Sequence, residues 1–204
     1  MNPAIPALFP MFVKLTGRRC LVVGGGSIAE SKIQSLLAAG ADLTVVSPSL
    51  TPDLAGQEAR GSFTWEPRSF ETSDLDEIFL VIAATSDESV NESVFQEADR
   101  RGILCNAVDQ PPSCHFYFPA VVRRGPLQIA ISTAGLSPSL AQRLRKQFET
   151  EFGPEYEEWL RWLGAVRGLV MQRRLDFSRR KRLLAHIASR ESFERWRLAS
   201  QESE

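Results

Sequence analysis

The sequence predicts an α/β protein built around a parallel sheet. Short apolar runs alternate with amphipathic helical segments over the first half of the chain, a pattern typical of strands joined by crossover helices. A run of three glycines stands directly between the first predicted strand and the first predicted helix. With 43% hydrophobic and 24% charged residues among 204, the composition excludes the disordered, collagen-like and coiled-coil classes.

The first predicted elements are a strand, a helix and two further strands. Residues 19–23 form the short apolar run of a buried strand, which Gly24-Gly25-Gly26 follows. Residues 28–39 carry apolar side chains on one helical face and end at Gly40, a residue type that commonly stops helices. The next two strands are expected at residues 43–46 and 63–65.

Two more strands and a helix complete the predicted sheet. Residues 78–84 are continuously apolar, as in a central parallel strand that is covered on both faces. Residues 87–101 place apolar side chains on one stripe and predict a helix. Residues 103–108 predict the strand that follows it.

The pattern changes at Pro111-Pro112, which interrupts the alternation of strands and helices. Residues 116–122 and 127–132 predict two strands, with residues 123–126 as the connection between them. A two-stranded hairpin is marginally stable in water, so these strands need a partner surface. A second subunit is the expected source of that surface, and the sequence therefore predicts a homodimer.

The last third of the chain predicts helices. Ser137 can cap a helix whose first residue is Pro138, and Gly153-Pro154 then interrupts the helical pattern. Two further helices are expected up to about residue 200. The expected parts of the chain are residues 1–112, 113–150 and 151–204.

Charge and cysteine usage restrict the class of protein. Residues 1–122 carry a net charge of −7 and residues 123–204 one of +6, which indicates an anionic partner for the second part, although a solvated helical surface explains it equally well. Three cysteines without a CxxC pair and two histidines predict no metal site. The N-terminal residues 1–12 lack the basic start of a secretory signal, and no apolar run is long enough to span a membrane, so a cytoplasmic protein is expected.

The glycine run predicts a dinucleotide site. Gly24-x-Gly26-x-x-Ala29 follows a strand and opens a helix, which is the context that this fingerprint requires. The first glycine permits a tight turn and Gly26 lets the backbone approach a pyrophosphate at the helix N-terminus. Residues 1–112 are therefore expected to be a Rossmann domain. Ser47-Pro48-Ser49 stands where an acidic residue usually holds the ribose, so NAD is favoured over NADP and Ser47 becomes a candidate ribose ligand.

Two further segments contain candidate site residues. Asp109 follows a predicted strand at the sheet edge where ligands bind, and can act as an acid or base there; a turn-forming role ahead of Pro111 explains it equally well. Residues 131–139 offer hydroxyl groups and N–H donors to anions at a strand-to-helix junction, although helix capping explains Ser137 completely.

These motifs together resemble the precorrin-2 dehydrogenases, the dehydrogenase and ferrochelatase part of siroheme synthase, which also exists as a free-standing protein. The resemblance covers about residues 10–150 and departs from the family at Ser27, Ile28 and Ser31. It rests on Gly-Gly-Gly-Ser-Ile-Ala-Glu-Ser-Lys at 24–32, Ala-Ala-Thr at 83–85, Asn-Ala-Val-Asp at 106–109, Phe-Pro-Ala at 118–120 and Ile-Ser-Thr-Ala-Gly-Leu-Ser-Pro at 131–138.

The resemblance implies NAD-dependent oxidation of precorrin-2, an anionic tetrapyrrole, to sirohydrochlorin, and in some members insertion of Fe²⁺. It implies a homodimer that exchanges the segment after the nucleotide domain, here residues 113–150. Asp109 is the implied catalytic residue. His115 is the only imidazole near it in sequence and can assist it, although a lone histidine in an aromatic stretch is more often a packed surface residue. The implied cofactor contacts are Gly24, Gly25, Gly26, Ser27, Ile28, Ser47, Pro48, Ser49 and Thr85, and the candidate substrate contacts are Asn106, Ser132, Thr133 and Ser137.

Two other functions remain open at this point. One is a different NAD-dependent dehydrogenase on the same nucleotide domain, although ordinary dehydrogenases lack the 106–138 motifs. The other is a non-catalytic NAD or redox sensor that binds DNA through the basic run Arg179-Arg180-Lys181-Arg182. That run also suits a solvated helix face, so neither nucleic acid nor a membrane is expected as a partner.

Overall fold

A computed structural model describes residues 7–201, so the first six residues of the N-terminal segment interpreted above lie outside the described residues. The chain divides into two compact units. The first comprises residues 8–117, and the second contains the chain from Phe118 onwards. Each unit has its own secondary structure and packing.

The first unit contains a five-stranded parallel sheet, which confirms the predicted fold class. The order of its strands is β3-β2-β1-β4-β5, the arrangement of a Rossmann-type nucleotide fold, in which the order reverses between β1 and β4. The strands are Arg19–Val23 (β1), Asp42–Val46 (β2), Thr64–Glu66 (β3), Leu80–Ala83 (β4) and Leu104–Ala107 (β5).

Three helices connect these strands, one of which the sequence pattern did not predict. They are Ser27–Ala38 (α1), Pro52–Glu58 (α2) and Glu88–Arg101 (α3). Helix α2 is only seven residues long, too short to show an apolar periodicity. It forms because the Thr51 hydroxyl accepts the Leu54 N–H and because Pro52 suits the first helical position.

Two apolar clusters cover the two faces of the sheet. On one face Ile33 of α1 packs with Val22 and Ile82, and on the other Val94 of α3 packs with Val81. The strands are thus buried on both faces, as the continuous apolar runs predicted. The carboxyl edge of the sheet remains available for ligands.

The first unit ends at Tyr117 rather than at residue 112, because the intervening segment returns to the sheet. Cys114 forms an antiparallel bridge with Asn106, and the His115 N–H donates to the Cys105 carbonyl at 2.8 Å. The outer edge of β5 is therefore partly covered by its own chain. The separate roles expected for residues 113–150 and 151–204 stay predictions.

The second unit begins with an antiparallel hairpin of strands Ala120–Arg124 (β6) and Leu127–Ile131 (β7). The predicted boundary of its first strand, 116–122, was wrong. Pro119 has no N–H for the ladder, so pairing starts at Ala120. Pairing continues through Arg124 because Gly125, with φ +53, makes a tight turn with Pro126.

Four helices follow, and the prediction of only two after Gly153-Pro154 was wrong. A third helix forms after Gly153-Pro154 because Asp176 and Ser189 each cap the N-terminus of a helix. The Asp176 carboxylate accepts the Arg179 N–H at 2.8 Å, and the Ser189 hydroxyl accepts the Ser192 N–H at 3.2 Å. Among the helices of residues 7–201, none is long and apolar enough to cross a bilayer. The four are Pro138–Glu151 (α4), Glu155–Gln172 (α5), Phe177–Ile187 (α6) and Arg190–Gln201 (α7).

Candidate active site at the carboxyl edge of the sheet

The predicted cofactor residues of the first unit follow three neighbouring strands at one edge of the sheet. Gly24 follows β1, Ser47 follows β2, and Thr85 comes shortly after β4. Asp109 lies two residues beyond the end of β5 at the same edge. In open parallel sheets this edge, next to the point where the strand order reverses, is where ligands bind.

The first two glycines of the loop are required by close packing. Gly24 has φ +120, and a Cβ atom there would lie 2.7 Å from the carbonyl carbon of Ala84 and closer still to its oxygen. A Cβ on Gly25 would lie 2.6 Å from the Ser47 hydroxyl and closer to the Ser49 carbonyl. The glycines therefore let β1, β2 and β4 end side by side.

Gly26 has a different role, since it faces open space. A Cβ atom there would meet nothing within 4 Å, and no side chain caps the N-terminus of α1. Ser27 and Ile28, the first residues of α1, are also exposed. An uncapped helix N-terminus with open space in front of it fits a pyrophosphate, which would bind to the free N–H groups and the positive end of the helix dipole.

Ser47, the candidate ribose ligand, forms hydrogen bonds within the protein. The residue is 3% exposed; its hydroxyl donates to the Ser49 carbonyl at 2.9 Å and accepts from the Trp65 indole at 3.3 Å. It therefore shapes the turn after β2. Pro48 and Ser49 are exposed in that turn and remain candidate cofactor contacts.

The tight packing of Gly25 leads to a stability prediction. We expect Gly25→Ala to lower the free energy of unfolding by about 1–3 kcal/mol, because the new methyl group meets a backbone carbonyl that cannot yield easily. Gly26→Ala is the matched control, since its methyl group has free space. Urea unfolding of both variants measures the difference, and equal stabilities would contradict this packing.

Thr85 joins β4 to the start of α3. Its hydroxyl lies 2.8 Å from Oδ1 of the buried Asn91 and 2.9 Å from the Asp87 carbonyl, and its backbone carbonyl accepts from Asn91 Nδ2 at 3.0 Å. The Asp87 carboxylate caps α3 by accepting from the Ser89 N–H. Thr85 therefore holds the edge of the cofactor site in place, and its hydroxyl is engaged within the protein.

Asp109 is exposed and has an unusual backbone conformation. Its φ is +61, a left-handed conformation that Asp and Asn tolerate better than most residues. Such strain is often found at functional sites. Its carboxylate is exposed just beyond the carboxyl end of β5.

The charge of Asp109 acts on Lys32 of α1, a residue that sequence reasoning did not single out. The half-buried Lys32 extends from the second turn of α1. Burial lowers the pKa of its ammonium, and the negative charge of Asp109 acts in the opposite direction. The two side chains are 77 residues apart in sequence, so only the fold could bring their charges together. The one available signal was the position of Lys32 at the end of the 24–32 motif.

Asn106 and His115, the other polar residues near β5, have structural roles. Asn106 is 6% exposed, and its Nδ2 donates to the Phe116 carbonyl at 2.7 Å, so this amide is engaged within the protein. His115 Nδ1 accepts the Cys105 N–H at 3.1 Å, which leaves Nε2 to contact Asp99 at 3.0 Å. Both side chains fasten residues 114–116 to β5.

The remaining predicted substrate residues lie in the second unit, in the turn before α4. Ser132 Oγ accepts the Ala134 N–H, Thr133 Oγ1 accepts the Ser137 N–H, and Ser137 Oγ accepts the Leu140 N–H at 3.3 Å. Ser137 therefore caps α4, as one interpretation of the sequence predicted. A hydroxyl that accepts an N–H can still donate its own proton, so Ser132 and Thr133 remain able to bind an anion.

The thiols are poor candidates for catalysis. Burial raises the pKa of Cys20 to about 11 and that of Cys105 to about 12, so neither forms the thiolate at neutral pH. Cys114 is half-buried and its pKa is also raised by burial. Within residues 7–201, no three His, Cys, Asp or Glu side chains lie together as metal ligands would.

Two known families match this chain. The family described as "Putative NAD(P)-binding" matches residues 11–120, which is more than half of the chain. "Sirohaem biosynthesis protein central" matches residues 124–151. The first match contains every residue of the sheet edge, and the second begins inside β6 and extends to the end of α4.

Several relatives are siroheme synthases. Siroheme synthase 1 of Serratia proteamaculans is 42% identical over 173 residues, covering 85% of this chain and 36% of the relative. Siroheme synthase 1 of Cronobacter sakazakii is 49% identical over 141 residues, which cover 69% of this chain and 30% of that protein. The chain thus spans about a third of the length of these relatives.

A solved structure is similar over nearly the whole chain. The protein described as SirC, precorrin-2 dehydrogenase, is 29% identical, with a TM-score of 0.78, and the match covers 97% of this chain and 100% of that one. Both units are therefore included in the similarity. From the two family matches and these relatives we conclude that the chain belongs to the precorrin-2 dehydrogenase and siroheme synthase family, with an NAD(P)-binding domain at residues 11–120.

Proposed function

We propose that this protein oxidises precorrin-2 to sirohydrochlorin with NAD⁺. The observation that carries the proposal is the similarity to a precorrin-2 dehydrogenase across 97% of the chain, both units included. The glycine loop and Asp109 support it, because a cofactor site and an acid–base group lie at the same edge of one sheet. The preference for NAD over NADP rests on the turn at residues 47–49, which contains no arginine for a 2′-phosphate.

The reaction removes a hydride and a proton from the substrate. NAD⁺ supplies the hydride acceptor when it is bound at the glycine loop. The Asp109 carboxylate accepts the proton and passes it to solvent, to which the side chain is exposed. The Gly24–Ala84 and Gly25–Ser49 packing keeps the loop in a shape that receives the pyrophosphate.

The carboxylates of precorrin-2 need cationic or hydroxyl partners, and the second unit offers both. Arg143 and Lys146 line a groove on α4 together with Ser139 and Gln142, and both cationic side chains are exposed. We propose that these cations and the Ser132 and Thr133 hydroxyls bind the acidic rim of the substrate. The net charge of +6 on residues 123–204 favours such a ligand.

We also propose a homodimer and a cytoplasmic location. The hairpin of β6 and β7 has only two strands, so each strand leaves an edge unpaired in the sheet. The buried thiols of Cys20 and Cys105 suit a reducing compartment. Multi-angle light scattering across micromolar concentrations should give twice the mass of the 22.8 kDa chain, and a monomer throughout that range would refute the dimer.

The decisive experiment is anaerobic incubation with precorrin-2 and NAD⁺, followed by absorbance spectroscopy. We expect NADH and sirohydrochlorin to form together, and repetition with Fe²⁺ or Co²⁺ tests metal insertion. Binding of NAD⁺ without oxidation of precorrin-2 would instead favour a different dehydrogenase. A mobility-shift assay with DNA tests the sensor alternative, which depends on the basic run at residues 179–182.

A further inference from the structure

The turn after β2, residues 47–51, lacks the acidic side chain that usually binds the ribose of NAD. In nucleotide-binding folds of this type, an Asp or Glu at the end of the second strand accepts hydrogen bonds from the ribose hydroxyls. Here that position holds Ser47, which is 3% exposed and whose hydroxyl donates to the Ser49 carbonyl at 2.9 Å. A carboxylate that serves the ribose can therefore come only from another element.

Helix α1 places one carboxylate at this turn. Glu30 lies in the first turn of α1, and its backbone N–H donates to the Gly26 carbonyl of the glycine loop at 3.3 Å. Its Oε1 accepts the hydroxyl proton of Thr51, the last residue of the turn, at 2.5 Å. The two residues are 21 positions apart in sequence, so it is the fold that brings this carboxylate to the turn after β2.

A backbone hydrogen bond fixes the same turn against the glycine loop. The Thr51 N–H donates to the Gly25 carbonyl at 2.9 Å. The Thr51 hydroxyl accepts the Leu54 N–H and donates to Glu30, so its direction is fixed at the start of α2. The Glu30 carboxylate is thus held beside the two segments that bind the pyrophosphate and the ribose in this kind of fold.

Glu30 keeps the capacity to bind a ligand. A carboxylate offers about four acceptor sites on its two oxygens, and the Thr51 hydroxyl uses one of them. The side chain is half-buried, so part of it is open to solvent. Ribose hydroxyls are hydrogen-bond donors that a carboxylate binds, whereas the 2′-phosphate of NADP⁺ is an anion that its charge repels.

We propose that Glu30 is the residue that selects NAD⁺ over NADP⁺, through a carboxylate that Thr51 holds at the ribose end of the cofactor site. Glu30 supplies from α1 the negative charge that the end of β2 lacks. The inference rests on the proposed function, because it deepens the preference for NAD by naming the group that rejects a 2′-phosphate. Thr51 is a positioning residue, which acts on the cofactor through Glu30.

Isothermal titration calorimetry with NAD⁺ and NADP⁺ tests this selection without any precorrin-2. Glu30→Gln keeps the shape of the side chain and an oxygen that accepts the Thr51 hydroxyl, but removes the charge. We expect the ratio of Kd for NADP⁺ to Kd for NAD⁺ to fall at least ~10-fold, because the repulsion of the 2′-phosphate is gone. Asp53→Asn is the matched control, since it removes the same charge from the exposed first turn of α2. Its ratio should stay within about twofold of wild type, because salt screens an exposed charge.

Two variants of Thr51 test the positioning. Thr51→Ser keeps the hydroxyl and should keep the wild-type ratio. Thr51→Val keeps the shape without the hydroxyl, so the carboxylate is no longer held at the turn and the ratio should fall ~3-fold or more. Valine also loses the bond to the Leu54 N–H, so thermal unfolding must show that each variant is folded at the temperature of the titration.

Three results would overturn the inference. The first is a wild-type protein that binds both dinucleotides equally or binds neither. The second is an unchanged ratio in Glu30→Gln, which includes an equal loss of both affinities and indicates a purely structural role. The third is an equal shift in Asp53→Asn, which indicates a general effect of charge. The proposed function fails separately: a wild-type protein that discriminates through Glu30 but leaves precorrin-2 unoxidised supports the inference and contradicts the dehydrogenation.

Discussion

Gly26→Asp is expected to abolish NAD⁺ binding and to leave the protein folded. Gly26 has an extended backbone, φ −89 and ψ −177, that any residue adopts, and its added side chain meets nothing within 4 Å. Aspartate is also a favoured N-cap, so helix α1 should be at least as stable as before. The carboxylate would occupy the position of the pyrophosphate and repel it. We expect Kd for NAD⁺ to rise at least ~100-fold, which corresponds to about 2.8 kcal/mol.

Gly26→Asn is the matched control, since it has the same shape and cap without the charge. Isothermal titration calorimetry measures both affinities, and thermal unfolding verifies that both variants are folded. We expect the asparagine variant to lose less affinity than the aspartate variant, because only the latter adds repulsion between charges. Unchanged NAD⁺ affinity in Gly26→Asp would show that the cofactor binds elsewhere.

Asp109→Ala is expected to lower the rate of precorrin-2 oxidation by ~100-fold or more, the usual scale for a lost acid–base group. NAD⁺ affinity should remain near that of wild type, because the phosphates are expected on the loop after β1, two strands away from β5 in the sheet. Alanine at φ +61 also adds backbone strain of about 1 kcal/mol. Turnover and cofactor affinity must therefore be measured beside thermal stability.

Asp109→Asn removes the carboxylate without that strain, since asparagine tolerates a left-handed backbone. It should be as slow as Asp109→Ala. His115→Ala serves as a second control: its rate should stay close to wild type, while loss of the bond to the Cys105 N–H costs about 1 kcal/mol of stability. If Asp109→Asn turns over precorrin-2 at the full rate, then Asp109 is a turn residue and the proton goes elsewhere.

The fold of the first unit could be predicted from local patterns. The predicted strand at 19–23 coincides with β1, and the apolar run at 78–84 contains β4. Both were recognisable because strands buried on both faces require continuous apolar sequence. The glycine loop was recognisable since its spacing follows from backbone geometry alone. Helix α2 was missed because seven residues are too few to show a helical period. The hairpin was shifted because Pro119 ends the pairing, which an apolar run does not indicate.

The candidate site was predictable only in part, because exposure and pairing depend on residues far apart in sequence. Ser47 and Asn106 have polar side chains suited to a ligand, yet both are buried against Trp65 and Phe116 respectively and support the site from within. A sequence contains no signal that distinguishes a hydroxyl or an amide facing solvent from one facing its own chain.

By itself the sequence determined the alternating fold and the family to which the chain belongs, and it predicted the glycine loop as the anion site and Asp109 as the candidate base. Each depends on neighbours in sequence, where backbone sterics and hydrophobic periodicity act over a few residues. The tertiary structure alone decided that Gly25 packs on Ser49, that His115 is bound to β5 and Asp99, and that the charge of Asp109 acts on Lys32. These interactions depend on packing and electrostatics across the folded sheet, which bring together residues up to 77 positions apart.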